Sequence, residues 1–194
     1  RLPARLLEKE NIHRVSGARK IFEKLDILII DEASMMRADL LDAVDEALRL
    51  NTDNLNDAFG GVQVVLFGDL YQLPPIIDRQ AKEIYSQRYE TPYFFSAKIF
   101  TASPFKHLTL NRIFRQQDER FSGLLNKIRN KTICGEDLRG LNERVLPPVS
   151  QSPEDCMTLT PTNAAALRIN ETRLAKLRTE LFDYTANVHG EFEE

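Results

Sequence analysis

The sequence predicts an α/β protein built on a parallel sheet with helices packed on its faces. Two apolar runs rich in β-branched residues, 25–30 and 62–67, each end abruptly in polar residues. The segment between them carries apolar residues at helical spacing. A strand, a helix and a second strand joined by short links are typical of the crossover unit of a parallel sheet.

The first strand is predicted over 25–30, where the apolar run Ile27 to Ile30 fits a central strand buried on both faces. Asp31 and Glu32 follow it directly. Because a buried unpaired charge is costly, these acids should lie where the strand emerges, at the edge where open α/β sheets bind ligands. Two carboxylates there suit a magnesium ion and an attacking water, which indicates a nucleoside triphosphatase.

An amphipathic helix is predicted over about 37–50, because apolar residues recur there at helical spacing with charged residues between them. We expect this helix to cover one face of the sheet. Its apolar positions are Leu40, Leu41, Val44, Ala47 and Leu48.

The second strand, 62–67, brings another polar segment to the same edge of the sheet. This segment reads Gly68-Asp69-Leu70-Tyr71-Gln72-Leu73-Pro74-Pro75. Gly68 permits a tight exit from the strand. Gln72 carries a neutral amide that can donate to a phosphate oxygen and accept from water. The two prolines fix the loop that follows and stop any helix.

The rest of the chain is predicted to contain further strands and helices. An aromatic cluster over 85–95 is either core packing or a platform for stacking on nucleic-acid bases. A short helix capped by Ser96 would run to about 102, and Thr162 or Asn163 would cap the last helix. The remaining expected elements are strands at about 107–110 and 157–160 and helices at about 119–130 and 136–145. We place a domain boundary between 111 and 135.

Composition excludes several classes of protein. With 194 residues, 42% hydrophobic and 28% charged, the chain can form a packed core, and this composition argues against general disorder. A net charge of -3 gives no chain-wide basic surface, so any nucleic-acid contact must come from a local groove. The two cysteines, without CxxC spacing, fit reduced thiols inside a cell rather than a metal site. No apolar stretch approaches the roughly 20 residues of a membrane span.

The two ends of the chain are expected to be cuts within a longer gene product. The sequence begins at Arg1 and ends in the acidic segment 190–194. No Gly-x-x-x-x-Gly-Lys-Ser/Thr phosphate loop occurs in these residues.

Four segments carry a resemblance to a known family. They are Asp31-Glu32-Ala33-Ser34-Met35, Gly68 to Pro75, Phe114-Arg115-Gln116 and Leu159-Thr160-Pro161-Thr162-Asn163-Ala164. Together they resemble the Pif1-like group of superfamily 1 helicases. In that group they are similar to the Walker B motif, motif III, motif IV and the strand–helix junction of the second motor domain. Their order and approximate spacing agree over residues 25–175.

The resemblance implies a fold and an activity. Residues 1–111 would be part of a RecA-like P-loop NTPase motor domain, and 112–194 the incomplete start of a second RecA-like domain. The full-length protein would be an ATP-dependent DNA helicase that uses ATP and Mg²⁺ and moves 5′ to 3′ on single-stranded DNA. It would unwind duplex junctions as a monomer, without a membrane, in DNA repair, recombination or telomere maintenance. Because they lack a phosphate loop, these 194 residues alone are expected to be inactive.

The resemblance also implies roles at the nucleotide. Asp31 would hold Mg²⁺ mostly through water, and Glu32 would polarise the attacking water as general base. Gln72 would sense the γ-phosphate. Asp69 would order its own segment by hydrogen bonds and contact the magnesium shell. Arg115 would reach the transferred phosphoryl group as an arginine finger.

A second set of residues would face DNA. Thr160, Thr162 and Asn163 would donate to DNA phosphates at the amino end of a helix, although plain helix capping explains them nearly as well.

Two alternatives to a Pif1-like motor remain open. One is the helicase subunit of an exonuclease V-like complex. The other is a nucleic-acid-binding module that kept the fold and lost the motor, against which the intact Asp31, Glu32, Gln72 and Arg115 argue. We expect an intracellular protein, cytoplasmic in a bacterium and nuclear or mitochondrial in a eukaryote.

Overall fold

The computed structural model describes residues 7, 12–15, 17, 19–78, 81–114, 118–145, 156–180, 182 and 184–187. Within these ranges the strands and α-helices, in chain order, are α1 (Arg19–Phe22), β1 (Ile27–Ile30), α2 (Ala38–Asn51), β2 (Gln63–Leu66), α3 (Lys82–Ser86), α4 (Lys98–Ala102), α5 (Glu119–Arg129), α6 (Gly135–Asn142) and α7 (Asn163–Leu174). The chain divides into two compact units, Arg1–Ile133 and Cys134–Glu194.

The predicted domain division at 111 and 112 falls inside the first compact unit, which includes α5. The break between the units follows Ile133. Compactness does not by itself identify a RecA-like domain, so the division into two such domains stays a prediction. No helix of the described residues is long and apolar enough to cross a membrane.

The first unit contains a parallel pair of strands joined through a helix. Ile27 lies opposite Gln63, and Ile30 lies opposite Leu66. The connection from β1 to β2 passes through α2, as the sequence pattern predicts. The α/β class and the parallel sheet with flanking helices are therefore confirmed.

The core lies between α2 and the sheet. Leu41 is fully buried and Leu48 is 4% exposed, so the amphipathic pattern of α2 is confirmed. Side chains of β1 and β2 pack against this cluster. The segments before β2 and around α3 and α4 complete the core with Phe59, Val62, Tyr85, Tyr89, Ala97 and Ile99. Core packing is thus confirmed for the two tyrosines of the aromatic cluster.

The start of α2 is held by a tyrosine distant in sequence and by a local ion pair. The phenol oxygen of Tyr85 accepts hydrogen bonds from the amides of Ala38 and Asp39, at 2.9 and 3.4 Å. Arg37 forms a bidentate ion pair with Asp39, at 2.8 Å through Nε and 2.6 Å through Nη2. Both side chains of this pair are almost fully buried. The segment directly after the Asp31–Glu32 pair is therefore rigidly anchored.

The prediction that the first strand is buried on both faces is wrong for the described structure. Ile27 is 50% exposed and Ile29 is 62% exposed. Successive side chains of a strand point to opposite faces, and the core covers only one face of β1. An apolar run alone does not reveal which face is covered.

Three further elements differ from expectation. Residues 107–110 and 157–160 form no strand, since neither segment pairs with another strand among the described residues. Leu110 is 82% exposed and Leu159 is 90% exposed. Ser96 does not cap a helix, because α4 begins after Ala97 and the Ser96 hydroxyl instead lies 2.5 Å from that of Thr91.

Candidate functional site

The predicted catalytic acids lie at the carboxyl edge of the sheet. Asp31 and Glu32 follow β1, and hydrogen bonds to Phe67 bracket them. The Phe67 amide donates to the Ile30 carbonyl at 2.9 Å, and its carbonyl accepts from the Ala33 amide at 2.7 Å. One residue at the end of β2 thus fixes the backbone on both sides of the two acids.

Glu32 adopts a left-handed backbone conformation, with φ 53° and ψ 37°. This conformation costs roughly 1–2 kcal/mol for a residue other than glycine. Its amide donates to the Asp31 carboxylate at 2.8 Å, and the two bonds through Phe67 hold the flanking chain. Both acids are exposed, and no described residue hydrogen-bonds the Glu32 carboxylate. Retained strain of this kind clusters at functional sites, which fits a glutamate held ready for a ligand.

The segment that follows β2 packs directly against the segment that follows β1. A Cβ atom placed on Gly68 would lie 3.3 Å from the Ala33 amide nitrogen and closer still to that of Ser34. Ser34 is completely buried. The glycine is therefore needed for close backbone approach rather than for a positive φ.

Asp69 organises the loop that starts at Gly68. Its Oδ1 accepts from the Tyr71 amide at 3.1 Å, and its Oδ2 accepts from the Gln72 side-chain amide at 3.3 Å. The Gln72 backbone amide donates to the Asp69 carbonyl at 2.9 Å. Gln72 is thereby tied to the end of β2 through both its main chain and its side chain.

Arg129 joins this loop from α5, and sequence reasoning missed it. Its Nη2 donates to Asp69 Oδ1 at 3.1 Å, and its guanidinium carbon lies 4.8 Å from the centre of the Tyr71 ring. The two partners are 60 residues apart in sequence. No local pattern could have revealed this contact, because only the fold brings α5 to the loop.

The predicted arginine finger, Arg115, lies outside the described residues, as does Gln116. The neighbouring Phe114 is 76% exposed. The guanidinium of Arg112 stacks over its ring at 4.7 Å.

The predicted DNA-facing residues belong to the second compact unit. Thr162 caps α7, since its hydroxyl accepts from the Ala165 amide at 3.3 Å. The Thr160 hydroxyl accepts from the Thr162 amide at 3.4 Å. Asn163 is exposed at the first position of the helix. Local capping thus accounts for the geometry of both hydroxyls.

The acids at the sheet edge suit a magnesium ion held mainly by water. Among the described residues, no cluster of three or more His, Cys, Asp or Glu side chains could hold a metal alone. Asp31 and Asp69 supply carboxylate oxygens, which Mg²⁺ prefers, and Mg²⁺ usually keeps several waters and uses one or two carboxylates. The residues present therefore fit the ion, and Asp31 would hold it directly or through water.

Comparison with known proteins places this geometry in a family. The family model for PIF1-like helicases matches residues 4–137. The chain belongs to this family. It is 29% identical, over 95% of its length, to the ATP-dependent DNA helicase PIF1 of Emericella nidulans, of which it spans 24%. A chain within the PIF1-like family thus carries the acid pair and the glycine-led loop on adjacent parallel strands.

Solved structures agree with this assignment. The crystal structure of a Bacteroides Pif1 helicase in complex with ADP-AlF3 and single-stranded DNA matches with a TM-score of 0.76 at 34% identity. The match covers 90% of this chain and 40% of that one. A structure of two coordinating Pif1 helicases that unwind forked DNA matches with the same TM-score at 36% identity, covering 87% of this chain and 39% of that one. The chain therefore spans well under half the length of these PIF1-like relatives.

Proposed function

We propose that the full-length protein containing this chain is an ATP-dependent DNA helicase of the PIF1-like family. The observation that carries the proposal is the pairing of two segments at one sheet edge, Asp31–Glu32 after β1 and Gly68–Gln72 after β2. Phe67 bonds to both sides of the acid pair. From family membership we infer that this arrangement serves the hydrolysis of ATP, which is coupled to movement on DNA.

The residues at this edge have separable tasks. Asp31 would hold Mg²⁺ through its carboxylate or through water, and Asp69 would contact the waters around the ion. The bound ion would neutralise charge on the phosphates. Glu32, whose carboxylate is unoccupied by any described residue, accepts the proton of the attacking water. Gln72 carries the side chain that responds to the γ-phosphate, and Arg115 supplies the arginine finger.

The proposed partners are single-stranded DNA and duplex junctions. Two related solved structures, one with single-stranded DNA and one with forked DNA, support this choice. Thr160, Thr162 and Asn163 are proposed to contact DNA phosphates in addition to capping α7. We further propose 5′ to 3′ movement by a monomer inside the cell, with roles in DNA repair, recombination or telomere maintenance.

The test is ATP hydrolysis by the full-length protein with and without single-stranded DNA. Glu32→Gln should remove most of the DNA-stimulated rate, by about 10²–10⁴-fold, because the general base is lost. ATP binding, measured by equilibrium titration, should be retained. Glu83→Gln, at an exposed glutamate on α3, is the matched control and should keep the wild-type rate.

Two outcomes would contradict the proposal. Equal, negligible rates in wild type and Glu32→Gln would leave a nucleic-acid-binding module without a motor. A robust wild-type rate that Glu32→Gln does not reduce would remove Glu32 from the chemistry.

A further inference from the structure

Arg129 makes two contacts with the loop that begins at Gly68. Its guanidinium donates to Asp69 Oδ1 at 3.1 Å and lies over the Tyr71 ring at 4.8 Å. Arg129 is the final residue of α5, and all three residues lie within the first compact unit. A flat cation that pairs with a carboxylate and stacks on a ring defines an orientation better than a point charge does.

The contacts are too exposed to serve mainly as support for the fold. The side chain of Arg129 is 46% exposed and that of Asp69 is 27% exposed. Ion pairs and cation–π contacts at such positions add little to the stability of a folded domain. Their effect should instead fall on the position of the Asp69 carboxylate within the loop.

The carboxylate that Arg129 binds is the same one that positions Gln72. Asp69 Oδ1 accepts from Arg129 and from the Tyr71 amide, and Asp69 Oδ2 accepts from the Gln72 side chain. Arg129 therefore holds the Asp69 carboxylate together with the Tyr71 amide, and the same carboxylate holds the Gln72 side chain.

The N-terminal end of α5 has a side-chain cap. The Asp118 carboxylate caps the helix by accepting from the Phe121 amide at 3.0 Å. Arg115 precedes this cap by three residues in the sequence. The helix is about 16 Å long at 1.5 Å per residue, and Arg129 at its last position reaches the loop that begins at Gly68.

We propose that Arg129 is a positioning residue for ATP hydrolysis, acting on Gln72 through Asp69. The inference rests on the proposed function, since it assigns Arg129 a role in that same reaction.

The first test is the kinetics of DNA-stimulated ATP hydrolysis by the full-length protein. Arg129→Ala should lower kcat by about tenfold, a typical size for an effect transmitted through a neighbouring contact, and should leave KM for ATP within about twofold. Arg120→Ala is the matched control, because this exposed arginine lies on the same helix and contacts neither Asp69 nor Tyr71 among the described residues. Both variants should unfold at the wild-type temperature.

A double-variant cycle tests the route through Asp69. If Arg129 acts through that carboxylate, adding Arg129→Ala to Asp69→Ala should lower kcat no further. Fully additive losses would overturn the proposed route. Arg129→Lys should recover part of the rate, because the lysine keeps the charge near Asp69 but cannot stack flat on Tyr71.

The outcomes separate this inference from the function on which it rests. Absence of DNA-stimulated hydrolysis in the wild type would defeat the proposed function. An active wild type with Arg129→Ala and Arg120→Ala equally active would overturn only the role of Arg129. A loss of rate in Arg129→Ala that is matched by a lower unfolding temperature would assign the contact to folding and overturn the positioning role.

Discussion

A Cβ atom on Gly68 would lie 2.8 Å from the amide nitrogen of Ser34. Cβ atoms in folded proteins essentially never lie that close to another atom. Any residue with a Cβ atom at position 68 would therefore overlap the backbone at Ser34. Gly68 opens the loop that contains Gln72, and Ser34 lies two residues after Glu32. The acid pair and the loop therefore form one packed unit at the sheet edge.

Gly68→Ala is expected to separate these two segments. We expect a loss of about 1–3 kcal/mol in the free energy of unfolding, because an extra methyl group must be accommodated against backbone. Hydrolysis of ATP by the full-length protein should fall by about tenfold or more, since displacement of catalytic groups by about 1 Å has a large effect on rate. Urea unfolding and steady-state kinetics would measure the two effects.

The control for this substitution is Gly140→Ala. Gly140 lies inside α6, and among the described residues no atom beyond the neighbouring helix backbone lies within 4 Å of the added carbon. Alanine there should stabilise the helix by about 0.5–1 kcal/mol. An active, equally stable Gly68→Ala protein would show that the two segments can separate without consequence.

The buried ion pair at the start of α2 predicts that replacing Arg37 alone costs more stability than replacing both members of the pair. Arg37 and Asp39 are 4% and 1% exposed, and the hydrogen bond to Asp39 raises the pKa of the Arg37 guanidinium. Arg37→Met should cost about 3–5 kcal/mol, because it leaves the Asp39 carboxylate buried without its partner. Chemical denaturation would measure the loss.

The double variant Arg37→Met/Asp39→Leu should be more stable than Arg37→Met alone. Apolar replacement of both members of a buried pair is often neutral or stabilising. Some loss should remain, because Asp39 also accepts from the Leu7 amide at 3.1 Å. A double variant less stable than Arg37→Met would contradict this expectation, because the two losses would then add as if Arg37 and Asp39 were independent.

The sequence predicted those parts of the fold that depend on local pattern. The ranges of β1, α2 and β2 follow from apolar runs and helical spacing, and the acids after β1 follow from the cost of burying charge. Contacts between residues distant in sequence were not predictable. Examples are the hydrogen bond between Tyr85 and the start of α2 and the ion pair of Arg129 with Asp69. The expected strand at 107–110 failed for the same reason, because a strand requires a neighbour that its own sequence does not specify.

Capping of α7 by Thr162 can be separated from contact with DNA. Thr162→Ala should destabilise this helix by about 1 kcal/mol, and Thr162→Asn should restore it, because asparagine is an equally good cap. Amide hydrogen exchange in α7 of the full-length protein would measure this effect. If Thr162→Asn restores the helix but still weakens binding to single-stranded DNA, the hydroxyl contacts DNA as proposed. Unchanged affinity in Thr162→Asn would limit Thr162 to capping.

Two buried tyrosines predict a loss of stability at alkaline pH. Burial raises the pKa of both Tyr85 and Tyr89 above the ordinary value of 10.0. A hydrogen bond from the Tyr89 hydroxyl to Asp42, at 2.9 Å, adds to the effect because it favours the protonated phenol. The folded state therefore keeps these protons to a higher pH than the unfolded chain. The contribution is fully present below about pH 10 and is lost as the pH rises above that value.

Tyr89→Phe should make the alkaline loss of stability shallower. The substitution should cost about 1 kcal/mol at neutral pH, since Asp42 still accepts from the amides of Lys98 and Ile99 at 3.2 and 3.0 Å. Tyr184→Phe is the control, because Tyr184 is 91% exposed and should leave the pH dependence unchanged. Urea unfolding at a series of pH values from about 8 to 11 would measure the slope. An identical slope in wild type and Tyr89→Phe would show that the alkaline transition has another origin.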